Sequence, residues 1–336
     1  MHELTDSGVL LRLAVQALIH AGLDAGKILE KSGGSLALLD DPHLRTPVSA
    51  QDIFWQSAEE VSQDPHIGLH LARHLPRFRG QVLEYLFSSS PTFGEGLRRA
   101  LQYQRLLSDA ILGRFGWEGD HCYLATGMSK GTSRHMAECM MAGILQFFAQ
   151  VTDGAFVALR VCFYHAQGAA LAEYEEIYGC PVTFEQAEIR IYFSPEILDR
   201  VFWHAEPELL RLHEQVAIER LAELQRLDLV DQVRKVIAQR LECGEITLEE
   251  VAVELGMKPR SLRSQLADIN SSFNQILNEY RSRLSRRLLA RTDERIEQIV
   301  YLTGFSEPST FYRAFKRWTQ ETPIEYRRRK RLQRGG

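Results

Sequence analysis

One pattern occurs twice in the last hundred residues and constrains the chain more than any other feature. Thr247 and Glu250 stand at capping-box spacing, and Leu248, Val251, Ala252 and Leu255 follow at i, i+3, i+4 and i+7, the apolar face of a short helix. Gly256 breaks that helix, and Pro259 opens another whose apolar positions are Leu262, Leu266 and Ile269. The opposite face carries Arg260, Arg263, Ser264 and Gln265. The device then repeats. Ile296, Ile299, Val300 and Thr303 form the first stripe, Gly304 breaks it, and Pro308 opens a helix with Phe311, Phe315 and Trp318 inward. Its outer face carries Ser309, Tyr312, Arg313 and Lys316. A short helix, a glycine turn and a second helix with a cationic outer face is the helix-turn-helix plan. Two copies make chance a poor explanation.

Between the copies, Phe273–Ala290 contains no Gly or Pro. Eighteen residues of helix span about 27 Å, a strut able to hold two reading helices roughly one duplex turn, about 34 Å, apart. Arg281, Arg283, Arg286 and Arg287 along it suit backbone phosphates, with a merely solvated face as the competing reading. Arginine matters on the reading faces because its fork bonds guanine O6 and N7 together, discriminating by about 1–3 kcal/mol. Phe311, Phe315 and Trp318 share the packed face, so they are expected in the core and not as base-stacking platforms. For Arg327–Arg331 both phosphate contact and simple solubilisation stay open.

Charge supports the same division. Lys258–Gly336 holds 18 Lys and Arg against 8 Asp and Glu, a balance of +10, so the preceding residues carry −14 of a net −4. A basic end on an acidic body suits a domain for phosphates joined to one with another task. No run of about eighteen apolar residues appears, so no membrane partner is expected. The N-terminus lacks the layout of a signal peptide. Cys122, Cys139, Cys162, Cys180 and Cys243 are scattered, with no C-x-x-C pair, as expected of free thiols in a reducing cytoplasm.

Residues 1–221 mix helical and strand-like segments. Helices are expected over 10–21, 50–62, 67–74, 92–108 and 133–151, and strands over 114–117, 123–127, 157–164 and 189–193, with Glu118-Gly119-Asp120 as a hairpin turn. From Pro207 to Arg240 the pattern is one long charged helix, with a border near Leu221–Leu229, and everything beyond reads helical. The expected fold class is an α+β N-terminal sensor domain followed by an all-α domain with two helix-turn-helix units joined by a long helix. The expected domains are 1–221, for effector sensing and dimerisation, and 229–336, for DNA.

The stretch Gly304-Phe305-Ser306-Glu307-Pro308-Ser309-x-Phe311-x-Arg313-Ala314-Phe315-Lys316-Arg317-Trp318, followed by Thr322-Pro323-x-x-Tyr326-Arg327, resembles the AraC/XylS family of transcription regulators. Val251-Ala252-x-x-Leu255-Gly256-Met257-x-Pro259-Arg260-x-Leu262 resembles it as well. The resemblance implies seven helices, two recognition helices in successive major grooves, and usually activation near a promoter, with RNA polymerase as a partner. By position it implies base-facing roles for Arg260, Arg263 and Ser264, then for Pro308, Ser309, Thr310, Tyr312 and Arg313; Lys316 joins them from the outer-face pattern. The departures are Ser264, where relatives often carry Arg, and Asn270, near which they carry Gly. Pro47-Val48, Asp64–Leu69, Phe163-Tyr164-His165 and Tyr174–Phe184 resemble an arabinose-binding-type sensor domain of an ornithine-regulator-like branch of that family. That implies a small-molecule effector of unnamed identity.

The expected function is thus a sequence-specific transcription regulator, in activator mode, controlled by an effector on the N-terminal domain. It would act as a homodimer on double-stranded promoter DNA. The alternative is a regulator whose N-terminal domain only dimerises; an enzyme tethered to DNA is a remote third. No catalytic residue, metal or cofactor is called for. His66, His70 and His74 lie at i, i+4, i+8 without a fourth ligand, and Cys162 with His165 falls at a spacing that splits a strand's faces. There is no G-x-S-x-G, Walker A or G-x-G-x-x-G. Phe54, Trp55, Phe147, Phe148 and Tyr174 are pocket-lining candidates, with core packing as the competing role.

Overall fold

The structure, a computed structural model, describes residues 4–127, 133–241 and 246–333; Cys243 lies outside them. The chain divides into two compact units, the first ending at Leu221 and the second starting at Ala222.

The first unit contains α1 (Gly8–His20), α2 (Ala25–Lys31), α3 (Ser49–Ser62), α4 (Ile67–Leu71), α5 (Val82–Ser88), α6 (Phe93–Gln102), α7 (Arg134–Val151) and α8 (Leu171–Tyr178). Its strands are β1 (Thr5–Ser7), β2 (Arg45–Pro47), β3 (Gly113–Glu118), β4 (His121–Thr126), β5 (Ala158–Cys162), β6 (Val182–Thr183) and β7 (Ile189–Phe193). β1 pairs with β2, and the other five form one sheet in the order β3-β4-β7-β5-β6, antiparallel except for β5–β6. The hairpin expected at Glu118–Asp120 closes β3 on β4, with Glu118 opposite His121. Two expected helices are shorter than their periodicity implied. The stretch 92–108 is α6, capped by Thr92, followed by a separate 3-10 turn at Gln104–Leu106; 67–74 is α4 with a 3-10 turn, Ala72–His74.

Phe93, Phe148, Phe156 and Phe193 meet at ring separations of 4.9 to 5.5 Å for Phe148–Phe156, Phe93–Phe148, Phe156–Phe193 and Phe93–Phe156, welding α6 and α7 to the sheet. A second core, with Leu18, Ile28, Trp55 and Ile67, joins α1 to α4 and one side of α7. Aromatic pairs of this kind add roughly 0.5–1.5 kcal/mol beyond their burial.

The charged stretch from Pro207 onward is a single helix, α9 (Pro207–Arg240), and the border between units falls within it. Beyond it run α10 (Leu248–Glu254), α11 (Pro259–Asp268), α12 (Phe273–Arg291), α13 (Ile296–Leu302), α14 (Pro308–Thr319) and α15 (Pro323–Leu332). Among the described residues this unit is all helix. The C-terminal part of α9 packs with α10, α11 and the start of α12 around Val233, Ile237, Val251, Leu262 and Ile276. The rest of α12 packs with α13, α14 and α15 around Leu289, Ile299, Phe311, Phe315 and Tyr326.

Candidate functional site

The two helix-turn-helix units are built by the same local rules. Thr247 and Glu250 form the expected capping box: the hydroxyl accepts from the Glu250 amide at 3.2 Å, and the carboxylate accepts from the Thr247 amide at 2.8 Å. At the other end of α10, Gly256 lies at φ +67°. It lets Met257 N–H reach back to Ala252 C=O at 2.8 Å, a Schellman ending. Gly304, at φ +71°, does the same for α13, with Phe305 N–H on Val300 C=O at 3.0 Å. Residues with a Cβ resist this left-handed conformation, which is why glycine marks both turns. Pro259 and Pro308 occupy the first helical position of α11 and α14, where a missing N–H costs nothing.

These turns leave one face of each second helix outside. Arg260, Arg263 and Ser264 on α11 are exposed, while Leu262 and Leu266 are buried. On α14, Pro308, Ser309, Thr310, Arg313 and Lys316 are exposed over buried Phe311 and Phe315, and Tyr312 is half-buried, its ring perpendicular to that of Phe311. Arg263 stands 3.6 Å from Glu249, but both are largely exposed, so the pair contributes little. The aromatic side chains of α14 face inward as expected, with Trp318 partly buried against Phe305.

Not every arginine of this unit is offered to solvent. Arg281, from α12, is half-buried; it donates to Gly304 C=O at 2.5 Å and lies 4.6 Å over the Phe305 ring. It holds the second turn in place. Arg286 donates to the buried Ser282 hydroxyl at 2.8 Å. In the closing basic run, Arg327 donates to Glu294 C=O at 2.7 Å, Arg329 pairs with Glu321 at 2.9 Å, and Arg331 pairs with Asp293. Of those five cations Arg327 ties the C-terminal helix to the segment before α13, while the exposed pairs of Arg329 and Arg331 contribute little. Exposed Arg283 and Arg287 remain turned to solvent on α12.

The first unit holds two features of another kind. A cavity of about 850 Å³ lies between α1, α3, α5, α6, α7 and the β3–β4 hairpin, with Leu13, Leu83, Phe87, Leu101, Met140 and Phe147 among its walls. Of the aromatic candidates, Trp55, Phe147 and Phe148 line it; Phe54 and Tyr174 do not. Tyr174 serves instead the second feature, a buried polar cluster around Glu138. Its hydroxyl donates to Glu138 Oε1 at 2.5 Å, Tyr178 donates to the Glu138 carbonyl at 2.8 Å, and Arg134 stands 3.7 Å away. Burial pushes the Glu138 carboxyl up to about 7, against the opposing pull of the Tyr174 hydrogen bond and Arg134. The histidines do not gather as metal ligands. His70 bridges Asp64 at 2.7 Å and Glu173 at 3.2 Å, and no group of three metal-capable side chains occurs among the described residues.

Comparison with known families agrees with this geometry. Residues 22–202 match the arabinose-binding N-terminal domain of AraC transcription regulators, and residues 251–329 match a helix-turn-helix domain. The chain belongs to the AraC family of transcription regulators. As an AraC-family member it is a DNA-binding regulator, and its matches are to regulators and not to enzymes. It is 29% identical over 317 residues to the ornithine utilization regulator of Pseudomonas aeruginosa, covering 93% of this chain and 90% of that protein. It is 30% identical over 169 residues to the regulator VirS of Mycobacterium tuberculosis, covering 49% of this chain and 48% of that one. Among solved structures it is similar to the regulator CdpR of Pseudomonas aeruginosa, with a TM-score of 0.44, 20% identity, and coverage of 95% and 98% of the two chains. No described helix of this AraC-family chain is long and apolar enough to cross a membrane.

Sequence reasoning missed Glu138 and the cavity wall at Thr126. For Glu138 a signal existed: it is the single acidic residue in the apolar run of α7, Met136–Leu145. Thr126 carries no comparable mark, because its role comes from non-local packing.

Proposed function

We propose that the chain is a sequence-specific transcription activator controlled by a small molecule bound in its N-terminal domain. In this reading residues 1–221 sense the effector and dimerise, and residues 229–336 grip DNA. Arg260, Arg263 and Ser264 read one major groove; Pro308, Ser309, Thr310, Tyr312 and Arg313 read the next, with Lys316 on a neighbouring phosphate. The observation that carries the DNA assignment is the duplicated exposed cationic face, Arg260/Arg263 on α11 and Arg313/Lys316 on α14, each over a buried apolar stripe. α12, 19 residues long, extends about 28 Å between the two helix-turn-helix motifs, which suits successive grooves on one side of the duplex. The cavity supports effector control, because its volume lies within the range of about 300–1,000 Å³ usual for ligand pockets. Dimerisation and contact with RNA polymerase at the promoter complete the reading.

Footprinting on the promoter of the chain's own operon tests it. Two adjacent major-groove protections per monomer are expected, with log K falling steeply against log salt. Protection of a single groove, with Arg260→Ala leaving the footprint unchanged, sinks the assignment of α11 as a reading helix.

A further inference from the structure

Resting on the effector reading above, we infer that the cavity of the first unit takes an uncharged, mainly hydrocarbon molecule bearing one neutral oxygen acceptor, held by Trp55 and Thr126. The cavity walls are chiefly Leu, Ile, Met, Ala and Phe side chains. Four of the polar side chains among them are already engaged. Gln51 donates to Asp6 at 3.1 Å, Gln104 accepts from the Gly113 amide at 2.5 Å, Gln146 donates to Ala72 C=O at 2.8 Å, and Ser108 donates to Asp6 at 2.5 Å. These are occupied by the fold itself.

Trp55 Nε1 and Thr126 Oγ1 are not. Both residues line the cavity, are only 3% and 2% exposed, and have no hydrogen-bond partner for these atoms among the described residues. Buried polar atoms without partners are rare in native proteins, because each forfeits its hydration. Two of them on one apolar cavity point to a ligand atom that satisfies them. The indole N–H is a donor only, and a threonine hydroxyl both donates and accepts. An acceptor satisfies either of them, and a carbonyl oxygen, with two lone pairs, can take one hydrogen bond from each.

The charge of the ligand follows from what the walls lack. The fully charged side chains on the lining, Arg77 and Asp153, are both exposed. An amino acid or a sugar drawn inside would bury an ammonium, a carboxylate or several hydroxyls against hydrocarbon, with no paired group to receive them. A ketone, ester or amide on an alkyl or aryl body meets no such penalty. The apolar walls thus disfavour a free amino acid or sugar as the ligand.

Titration of the full-length chain with 2-undecanone, sodium decanoate, L-ornithine and L-arabinose, followed by calorimetry and thermal shift, tests the inference. Saturable binding of 2-undecanone is expected, with decanoate weaker and neither polar compound bound at millimolar concentration. Trp55→Phe and Thr126→Val keep the shape of the walls, and each should weaken 2-undecanone five- to tenfold while DNA binding by the same preparations stays intact. Saturable binding of L-ornithine or L-arabinose, unaffected by either substitution, overturns this inference and leaves effector control standing. If 2-undecanone binds equally well to the wild type and both variants, the anchoring role of Trp55 and Thr126 is overturned. Binding of none of the four overturns the inference together with the effector reading.

Discussion

In the unit that ends at Leu221, Asp6, His135 and Glu138 are buried; in the unit that begins at Ala222, the buried polar side chains among the described residues are Ser282, Ser285 and Thr303, all neutral. The first unit encloses ionisable groups in hydrogen-bonded clusters, as where His135 accepts from the Gly68 amide through Nδ1 and meets Glu59 through Nε2 at 3.0 Å. The second keeps its core apolar and carries its cations at the surface or tied to backbone carbonyls. The two should therefore answer to different variables. Protons act where charge is buried, because burial separates folded from unfolded pKa values. Salt acts where charge is exposed and meets phosphate.

The largest effect is expected where no charge is involved. Phe315→Ala in the second unit should cost about 3–5 kcal/mol, read by urea unfolding, and nearly the same at pH 5 and pH 8. A strongly pH-dependent loss there would break the contrast between the units.

Next comes Glu138. Its folded pKa, about 7, lies above its ordinary 4.5. The native chain thus keeps a proton that the unfolded chain releases, and the resulting stability is complete below about pH 4.5 and lost as pH rises through 7. The slope is at most about 1.4 kcal/mol per pH unit across that window. Glu138→Gln should flatten the dependence and leave the variant relatively more stable at pH 8; an unchanged pH profile for the variant removes Glu138 as its source.

For the second unit, Arg313→Ala should weaken cognate DNA by about 1–3 kcal/mol and relax preference at one base pair. Lys316→Ala should instead lower affinity evenly across sequences and reduce the salt slope by about one. Arg281 and Arg327, bound to carbonyls, should add nothing to that slope.

The smallest effect concerns Asn270. It sits at φ +51° and closes α11 with Ser271 N–H on Leu266 C=O at 2.8 Å. Asn270→Ala should destabilise by about 1 kcal/mol, and Asn270→Gly should not. Equal melting temperatures for the two variants would mean that this turn carries no strain.

The units also differ in how much of them could be read from sequence. In the second, structure is local: Gly256, Gly304, Pro259, Pro308 and the Thr247–Glu250 pair announce turns and helix starts within a few residues of themselves. The equivalent box at Thr322–Glu325 stands on the same four residues as Pro323, which by itself already marks that helix start. In the first unit the longer segments were legible, α7 and β7 nearly to the residue. The three-residue β1 and β2 and two-residue β6 are too short for any period, and α2, α5 and α8 give only two turns or so each. The apolar spacing of α6 continues past Gln102 into a tighter turn, so the period alone implies a longer helix than the one that forms. The cavity was legible only in part, since Trp55 and Thr126 face it from elements about seventy residues apart.

The tie from Arg281 to Gly304 also has a practical meaning for exchanging specificity between relatives. A graft cut at the start of α13 would import a foreign turn while leaving the native arginine to hold it. The natural cassette for such a swap starts further upstream, within α12, so that guanidinium, glycine carbonyl and Phe305 travel together as one inherited part.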